Sequence, residues 1–398
     1  MLAPSCTWKV MSNYLLPFLK EKLRANKQYH PELSKLTVVV PSYCRQDFVV
    51  RQAAYWHGCG ASIIVIDGSP EPLSGELQHI LSDLGDISYV HSTTVIVERL
   101  KYAATLINTP YTVMCGDDEF LLHSGLCSAV RYLERDYDVV ACAGQSLRYT
   151  VSKDGSQIFY GAGYDTYDYE VRQSTAADRL KAALNNYNAA TCYAVTRSSV
   201  WRKSWGDLQV CSSGFAVELE HAFTTYIWGK LGSVNDVYWM RSNENPPAVT
   251  ADYSRIPIEN WWTAHEYEAE KFNFVTKLGI ELVESQNCDL PFAESVVTNA
   301  FELYLREKPS PSTPRLHHKM RQFVISLLEM LMPDNGLIRL KLLWRKAGIF
   351  DHGMHELGSL KDLGAREVPT PLTVHEQLIS ELSSMECLIA DFYKARGG

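Results

Sequence analysis

Residues 111–120 read YTVMCGDDEF: an apolar run, a glycine, then three carboxylates in a row, Asp117, Asp118 and Glu119. Like charges this close repel one another. On a solvated loop the run would cost little, but at the carboxyl end of a buried strand it calls for a cation. The plainer alternative is a helix start, where first-turn acids complement the macrodipole.

Outward from this stretch the chain alternates strand and helix. Before it come LTVVVP (36–41), a helical segment over 46–57 stopped by Gly58 and Gly60, ASIIVIDGS (61–69), ISYVHS (87–92) and a helical segment over 97–108. After it come a helix over 124–135 and DVVACAG (138–144). Such alternation predicts the α/β class, a mostly parallel sheet with helices on both faces. Residues 145–175 are rich in Tyr, Gly and Asp and read as irregular. A helix over 176–185, a strand running into a helix at 193–201, a helix over 215–230 and a late strand over 233–242 follow. SNENPPAVTADYSRIPIEN (242–260) has the composition of a linker or flap. Beyond Trp261 the pattern is helical, broken by KPSPSTP (308–314). The organisation expected is a helical lead-in (1–35), an α/β domain (36–260) and a helical C-terminal region (261–398).

Composition sets outer limits. With 398 residues, 46% of them hydrophobic, the chain can bury the core of a large domain with an appendage. A net charge of −8 argues against a protein that coats nucleic acid. The ten cysteines form no CxxC pair, and several sit in apolar runs, as expected of reduced thiols in a cytoplasmic protein. The first residues lack a secretory signal's apolar core, and no run reaches the roughly 18 apolar residues of a membrane span.

Three apolar strands end in marked polar groups: Pro41-Ser42-Tyr43, Asp67-Gly68-Ser69 and Asp117-Asp118-Glu119. Ligands of open parallel sheets bind beyond the carboxyl ends of the strands, and sequential strands are usually neighbours. The chemistry such a crevice suits is a nucleoside diphosphate bridged by Mg²⁺ or Mn²⁺, an ion that takes carboxylate, phosphate and water oxygens. Clustered acids tolerate one another once the ion is bound, and the ion offsets charge on a departing diphosphate. Asp67 is placed to accept from a base or ribose, and the backbone of Pro41 to Tyr43 to flank the base. Arg99 and Lys101, before the acidic strand, and Arg45, just after the first strand, are candidate phosphate contacts.

The runs VVVPSYCR, IIVIDGSP and INTPYTVMCGDDEF resemble a GT-A glycosyltransferase related to the large inverting family 2. DRL (178–180), YNAATCYAVTRSSVW (187–201) and GFAVELEHAFTTYIWGKLGSVNDVYWMRSNE (214–244) resemble a bacterial subfamily of uncharacterised glycosyltransferase domains. The resemblance spans about 36–244 and leaves the tail uncovered. It implies the GT-A fold and metal-dependent sugar transfer from a nucleotide-sugar donor to a glycan or lipid-linked glycan acceptor. It also implies a DXD-type site whose ligands come from Asp117, Asp118 and Glu119, with Asp117 also at the ribose. By position it makes Glu218 the general base and Arg241 a diphosphate contact. On the helix carrying Glu218, residues Phe215, Leu219, Ala222, Phe223 and Tyr226 form one apolar face, with Glu220 and His221 further round toward solvent.

Two other functions compete. A nucleotidyltransferase activating a sugar phosphate is disfavoured because VVVPSYCRQD has no glycine-rich loop; a degenerate domain that binds nucleotide or glycan without catalysis is the non-enzymatic alternative. His352 and His355 lack a third ligand for zinc, and GAGYDTYD (161–168) lacks the context of a dinucleotide fingerprint. Residues 315–346 carry an excess of Arg and Lys, as an amphipathic surface resting on an anionic membrane would, or a helical subdomain packing on the catalytic domain or a second subunit. The first option places a cytoplasmic protein at the inner membrane face.

Overall fold

The computed structural model describes residues 8–25, 27–152, 155–164, 166–245, 256–307, 356–360 and 375–397. Most of the expected flap, the basic segment 315–346 and His352/His355 lie outside them. Four strands form the parallel half of the sheet: β1 (Leu36–Ser42), β2 (Ser62–Asp67), β3 (Ile87–His91) and β4 (Tyr111–Met114), in the order β3-β2-β1-β4. Helices α2 (Gln46–Trp56) and α3 (Gly75–Asp83) make the first two crossovers, and α4 (Ile96–Leu106) returns the chain to the other side of β1. Right-handed crossovers then put α4 on the opposite face from α2 and α3. Burial agrees: Val38 and Val40 pack with Phe48, Val49 and Ala53 of α2, while Val39 packs with Val97, Leu100 and Ala103 of α4. A strand buried on both faces reads as a continuous apolar run, which is why LTVVVP was legible. The α/β class expected from the sequence is the class of the structure.

The rest of the sheet is mixed. Beyond the acidic turn come β5 (Phe120–Leu121), α5 (His123–Arg135), β6 (Val139–Val151) and β7 (Ile158–Ala162). After α6 (Ala176–Asn185) follow β8 (Val195–Arg197), α7 (Ser198–Ser204), α8 (Gly214–Trp228) and β9 (Lys230–Ser242). β8 joins β4 to β6 with antiparallel pairing, and β9 runs parallel to β6. The stretch read as irregular therefore contains the second half of β6 and a hairpin partner, β7. Leu147 and Tyr149, buried, alternate with Arg148 and Thr150, a period-2 signal hidden by the polar composition.

Helices α9 (Ile258–Thr263), α10 (Glu268–Gln286) and α11 (Leu290–Glu307) build a second core with α6 and α8. β10 (Glu356–Gly358) pairs with β7, and the last helix, α12 (Glu376–Ala395), packs against α1 (Trp8–Leu23), α2 and α5. Among the described residues no helix is long and apolar enough to cross a membrane, and the described cysteines are free. One expectation fails on α8. Glu220 and His221 are buried, not solvated, and Phe215 is exposed. The reason is α10, whose Lys277 pairs with Glu220 at 2.8 Å; Trp205, just after α7, stacks on His221 at 4.0 Å.

Candidate active site

β1 is the point where the strand order reverses, with β2 on one side and β4 on the other. Ser42 and Asp67 are register partners at the ends of β1 and β2, and Cys115 N donates to Val39 O, aligning the end of β4 with them. The three polar strand ends thus meet at the place where open α/β sheets bind ligands.

The acids are not a helix start: β5 follows them, and α5 begins only at His123. Asp117, Asp118 and Glu119 are 3%, 8% and 7% exposed, which removes the solvated-turn alternative. Ser42 Oγ donates to Asp117 Oδ2 at 2.8 Å. Arg45 Nη1 bridges Asp117 Oδ1 at 3.2 Å and Asp118 Oδ2 at 3.3 Å, and Asn245 Nδ2 donates to Asp118 Oδ2 at 2.9 Å. Glu119 turns elsewhere, accepting from Trp239 Nε1 at 3.0 Å and Gly116 N at 3.3 Å. Gln52 on α2 donates from Nε2 toward the Asp117 carbonyl (3.0 Å) and the Glu119 carbonyl (2.5 Å), and its Oε1 accepts from Trp56. Arg45 is turned back to the acids by Cys44, a non-glycine residue at φ +54° whose N–H donates to Ser69 Oγ. That sparsely populated conformation persists only where its surroundings fix it.

Asp67 is fully buried and already holds four donors. Gln46 Nε2 and Tyr89 OH reach Oδ2 at 2.6 and 2.7 Å; the N–H and hydroxyl of Ser69 reach Oδ1 at 2.9 and 2.5 Å. A carboxylate has about four acceptor positions, so a nucleoside contact requires one donor to give way. Arg99 lies buried beneath Gly68, donating to the carbonyls of Ser42 (2.9 Å), Ile66 (3.0 Å) and Thr94 (3.1 Å), and so ties the strand ends together. A Cβ on Gly68 would stand 2.4 Å from the guanidinium carbon, so only glycine fits that approach. Pro41 and Tyr43 are half-buried on either side of Ser42, and Lys101 is paired with Glu98 at 3.0 Å.

Glu218, on α8, accepts from Tyr187 OH at 2.9 Å. Across from it Tyr193 stacks on Trp239 (4.1 Å between centroids), which stacks in turn on Tyr164 (5.7 Å). Burial, then the nearby Glu119 carboxylate, Cys192 and the Glu218 carboxylate, push the Tyr193 phenol well up. Arg241 donates to Tyr164 OH at 3.1 Å, and its charge acts on Glu119. The structure therefore groups Ser42, Arg45, Asp117 and Asp118 in one cluster beside Asp67, and sets Glu119, Arg241 and Glu218 around the aromatic stack.

Gln52, Trp239 and Asn245 carried no sequence expectation, and neither did Arg51 and Tyr149, which reach the Asp118 carbonyl, or Glu244 and Tyr393, which bond to them or to each other. The nearest available signal was Arg51-Gln52, a polar pair inside the otherwise apolar DFVVRQAAYW.

Burial and then the charge of Asp118 push Asp117 up to about 7, against the pull of Arg45 and Ser42. The same two causes push Glu119 up to about 8. Burial and mutual repulsion together thus outweigh the pull of Arg45 on Asp117 and of Arg241 on Glu119. Among the described residues no three or more His, Cys, Asp or Glu side chains converge as a metal cage. An ion bridging a diphosphate needs only one or two carboxylates, and Asp117 with Asp118, drawn to one arginine nitrogen, fit that donor set.

Stability without metal is expected to fall as pH rises. Between the ordinary carboxyl value near 4 and the folded values near 7 and 8, the folded state holds protons that the unfolded chain has released, so raising pH favours unfolding. In EDTA the unfolding midpoint is expected to drop several degrees from about pH 6 to about pH 8.5, and Glu119→Gln to flatten that slope. A wild-type midpoint that holds steady or climbs over this range contradicts the assignment.

No family model and no curated protein matches the chain. It is similar to the solved structure of S. aureus TarS residues 1–349 in complex with UDP-GlcNAc, at TM-score 0.45 and 8% identity over 68% of this chain and 73% of that one. The same protein with UDP gives 0.44 and 10% over 72% and 78%. The mannosyltransferase PcManGT from Pyrobaculum calidifontis, in complex with GDP-Man and Mn²⁺, gives 0.38 and 13% over 98% and 95%. Likenesses this remote carry no argument about this chain's chemistry, which rests on its own residues.

Proposed function

We propose that the chain is a glycosyltransferase that moves a sugar from a nucleotide-sugar donor to a hydroxyl of a glycan acceptor, with inversion and with a divalent metal. The observation that supports this reading is the meeting of Ser42, Asp67 and the Asp117–Asp118 pair at the reversal of a parallel sheet, with Arg45 bridging the two acids. In this reading the base and ribose lie over the ends of β1 and β2, beside Pro41, Tyr43 and Asp67. The diphosphate faces Arg45, with Arg241 on the far side of the acids. Mg²⁺ or Mn²⁺ held by Asp117 and Asp118 would offset the charge on the leaving diphosphate. Glu218, oriented by Tyr187, takes the proton of the acceptor hydroxyl as that oxygen bonds to the anomeric carbon. The bond from the anomeric carbon to the phosphate oxygen breaks, and the nucleoside diphosphate leaves with the electron pair.

The test is a thermal unfolding screen against UDP, GDP, CDP and CMP and their sugars, with and without Mn²⁺. A ligand that binds only the folded state adds about 2.7 kcal/mol at a hundredfold excess over Kd, a rise of several degrees. The expected result is a rise with one nucleoside diphosphate and Mn²⁺ together. No rise with any nucleotide refutes the reading, and a rise with CMP without metal removes the bridging ion.

A further inference from the structure

The last helix, α12, ends beside the acidic turn. Its inner face, Leu378, Leu382, Met385, Ile389 and Phe392, is buried in the core shared with α1, α2 and α5. Its last turn then reaches further. Tyr393 OH donates to Glu244 Oε1 at 2.8 Å, and the Phe392 ring faces the Arg51 guanidinium at 5.1 Å. Room for Tyr393 is left by Gly155, where a Cβ would stand 2.2 Å from that of the tyrosine.

Glu244 collects donors from four parts of the fold. Arg51 of α2 grips it with Nη1 and Nη2, each at 2.8 Å; Tyr149 of β6 lies at 2.7 Å and Ser242 of β9 at 3.1 Å, besides Tyr393 of α12. The same groups hold Asp118. Arg51 Nη2 donates to the Asp118 carbonyl at 2.9 Å, and Tyr149 OH lies 2.5 Å from that carbonyl. Asn245, the residue after Glu244, holds the Asp118 side chain. Main chain and side chain of one acid are thus both referenced to Glu244.

We propose that α12 is a working part of the donor site, with Tyr393 a positioning residue that acts through Glu244 on Asp118. The inference rests on the reading of Asp117 and Asp118 as the donor-binding turn. Tyr149 has one proton and two acceptors in reach, Glu244 and the Asp118 carbonyl. The hydroxyl of Tyr393, donating to Glu244, satisfies part of that carboxylate's demand and leaves the Tyr149 proton to Asp118. Without it the proton is drawn to Glu244 and the turn loses a tether. Packing of α12 needs the ring of Tyr393; only this linkage needs its hydroxyl.

The experiment compares two hydroxyl deletions on the same helix contact. Tyr393→Phe removes the link to Glu244. Tyr160→Phe removes the 2.9 Å bond to Glu386 that also holds α12 but does not touch Glu244. Binding of Mn²⁺ with UDP, GDP or CDP is measured by calorimetry, beside the unfolding midpoint. Tyr393→Phe is expected to weaken nucleotide binding roughly three- to tenfold, the range of coupling carried through packed networks, with its midpoint close to wild type. Tyr149→Phe is expected to weaken it at least as much, and Tyr160→Phe to leave it unchanged. Equal weakening by Tyr393→Phe and Tyr160→Phe, or unchanged affinity in Tyr393→Phe, overturns the proposal while leaving the donor reading intact. If the wild-type chain binds none of the three nucleotides, the donor reading falls and this inference with it.

Discussion

Replacing Asp118 with Asn is expected to slow sugar transfer by about 10² to 10³ while leaving a fold more stable than the wild type in metal-free buffer. Asn keeps the shape of Asp118 and an oxygen to accept from Asn245, so the turn retains its hydrogen bonds. What goes is the charge. That charge is the second cause, after burial, of the raised values of both Asp117 and Glu119, so its loss relieves repulsion at both neighbours. A buried acid retained at a cost to the free fold is what a functional site leads one to expect. Removing one electrostatic partner of a developing oxyanion typically costs about 10² to 10³ in rate. Glu218→Gln is expected to cost about 10² to 10⁴ through loss of the base, without the gain in midpoint. Initial rates with the donor found by the nucleotide screen, read beside midpoints in EDTA, check both. Transfer within twofold of wild type in Asp118→Asn would falsify the donor-site assignment.

The two halves of this site differed in how far the sequence disclosed them, and the difference follows chain distance. Ser42, Asp67 and Asp117 sit at the ends of apolar runs that are buried on both faces, so strand and strand end were both visible locally. The direction of Glu119 was not, because it depends on Trp239, which enters the site from β9, 120 residues away. Glu220 and His221 followed the helical period toward solvent, yet Lys277 of α10 covers the first and Trp205 the second, and no local pattern on α8 announces a partner 57 residues later. Arg51 interrupts an apolar helical run, and nothing near it in the chain says what it pairs with. Its partner Glu244 lies 193 residues on, and the tyrosine that completes the group is at position 393.

That buried group carries the largest stability effect expected here. Arg51 and Glu244 are 0% and 1% exposed at the side chain and meet through two bonds of 2.8 Å. Burial is the largest influence on each and opposes its charge, but the partner's charge, the hydrogen bonds and the neighbouring tyrosines together outweigh it: Arg51 is held up and Glu244 is held below the ordinary carboxyl value. The rings of Phe48, Phe120 and Phe392 stand 4.5 to 5.1 Å from the guanidinium, so the pair sits in an apolar surround. Arg51→Met therefore strands a buried carboxylate, at a cost of about 3–5 kcal/mol. For a chain of this size that is a fall of roughly four to six degrees in the unfolding midpoint. The depressed value of Glu244 also sets a sign opposite to that of Asp117 and Glu119. Its contribution is present above the ordinary carboxyl range and is lost as pH falls through the folded value, so the wild type loses this support in acid. Arg51→Met has already lost most of it, and its midpoint is expected to depend less on acid. The double variant Arg51→Met/Glu244→Met tests the pairing itself: with no stranded charge, its cost is expected to be less than the two single costs added. It should not return to wild type, because Tyr149, Tyr393 and the Asp118 carbonyl each lose a partner. Single costs that simply add would mean that Arg51 and Glu244 act separately, despite the two short bonds between them.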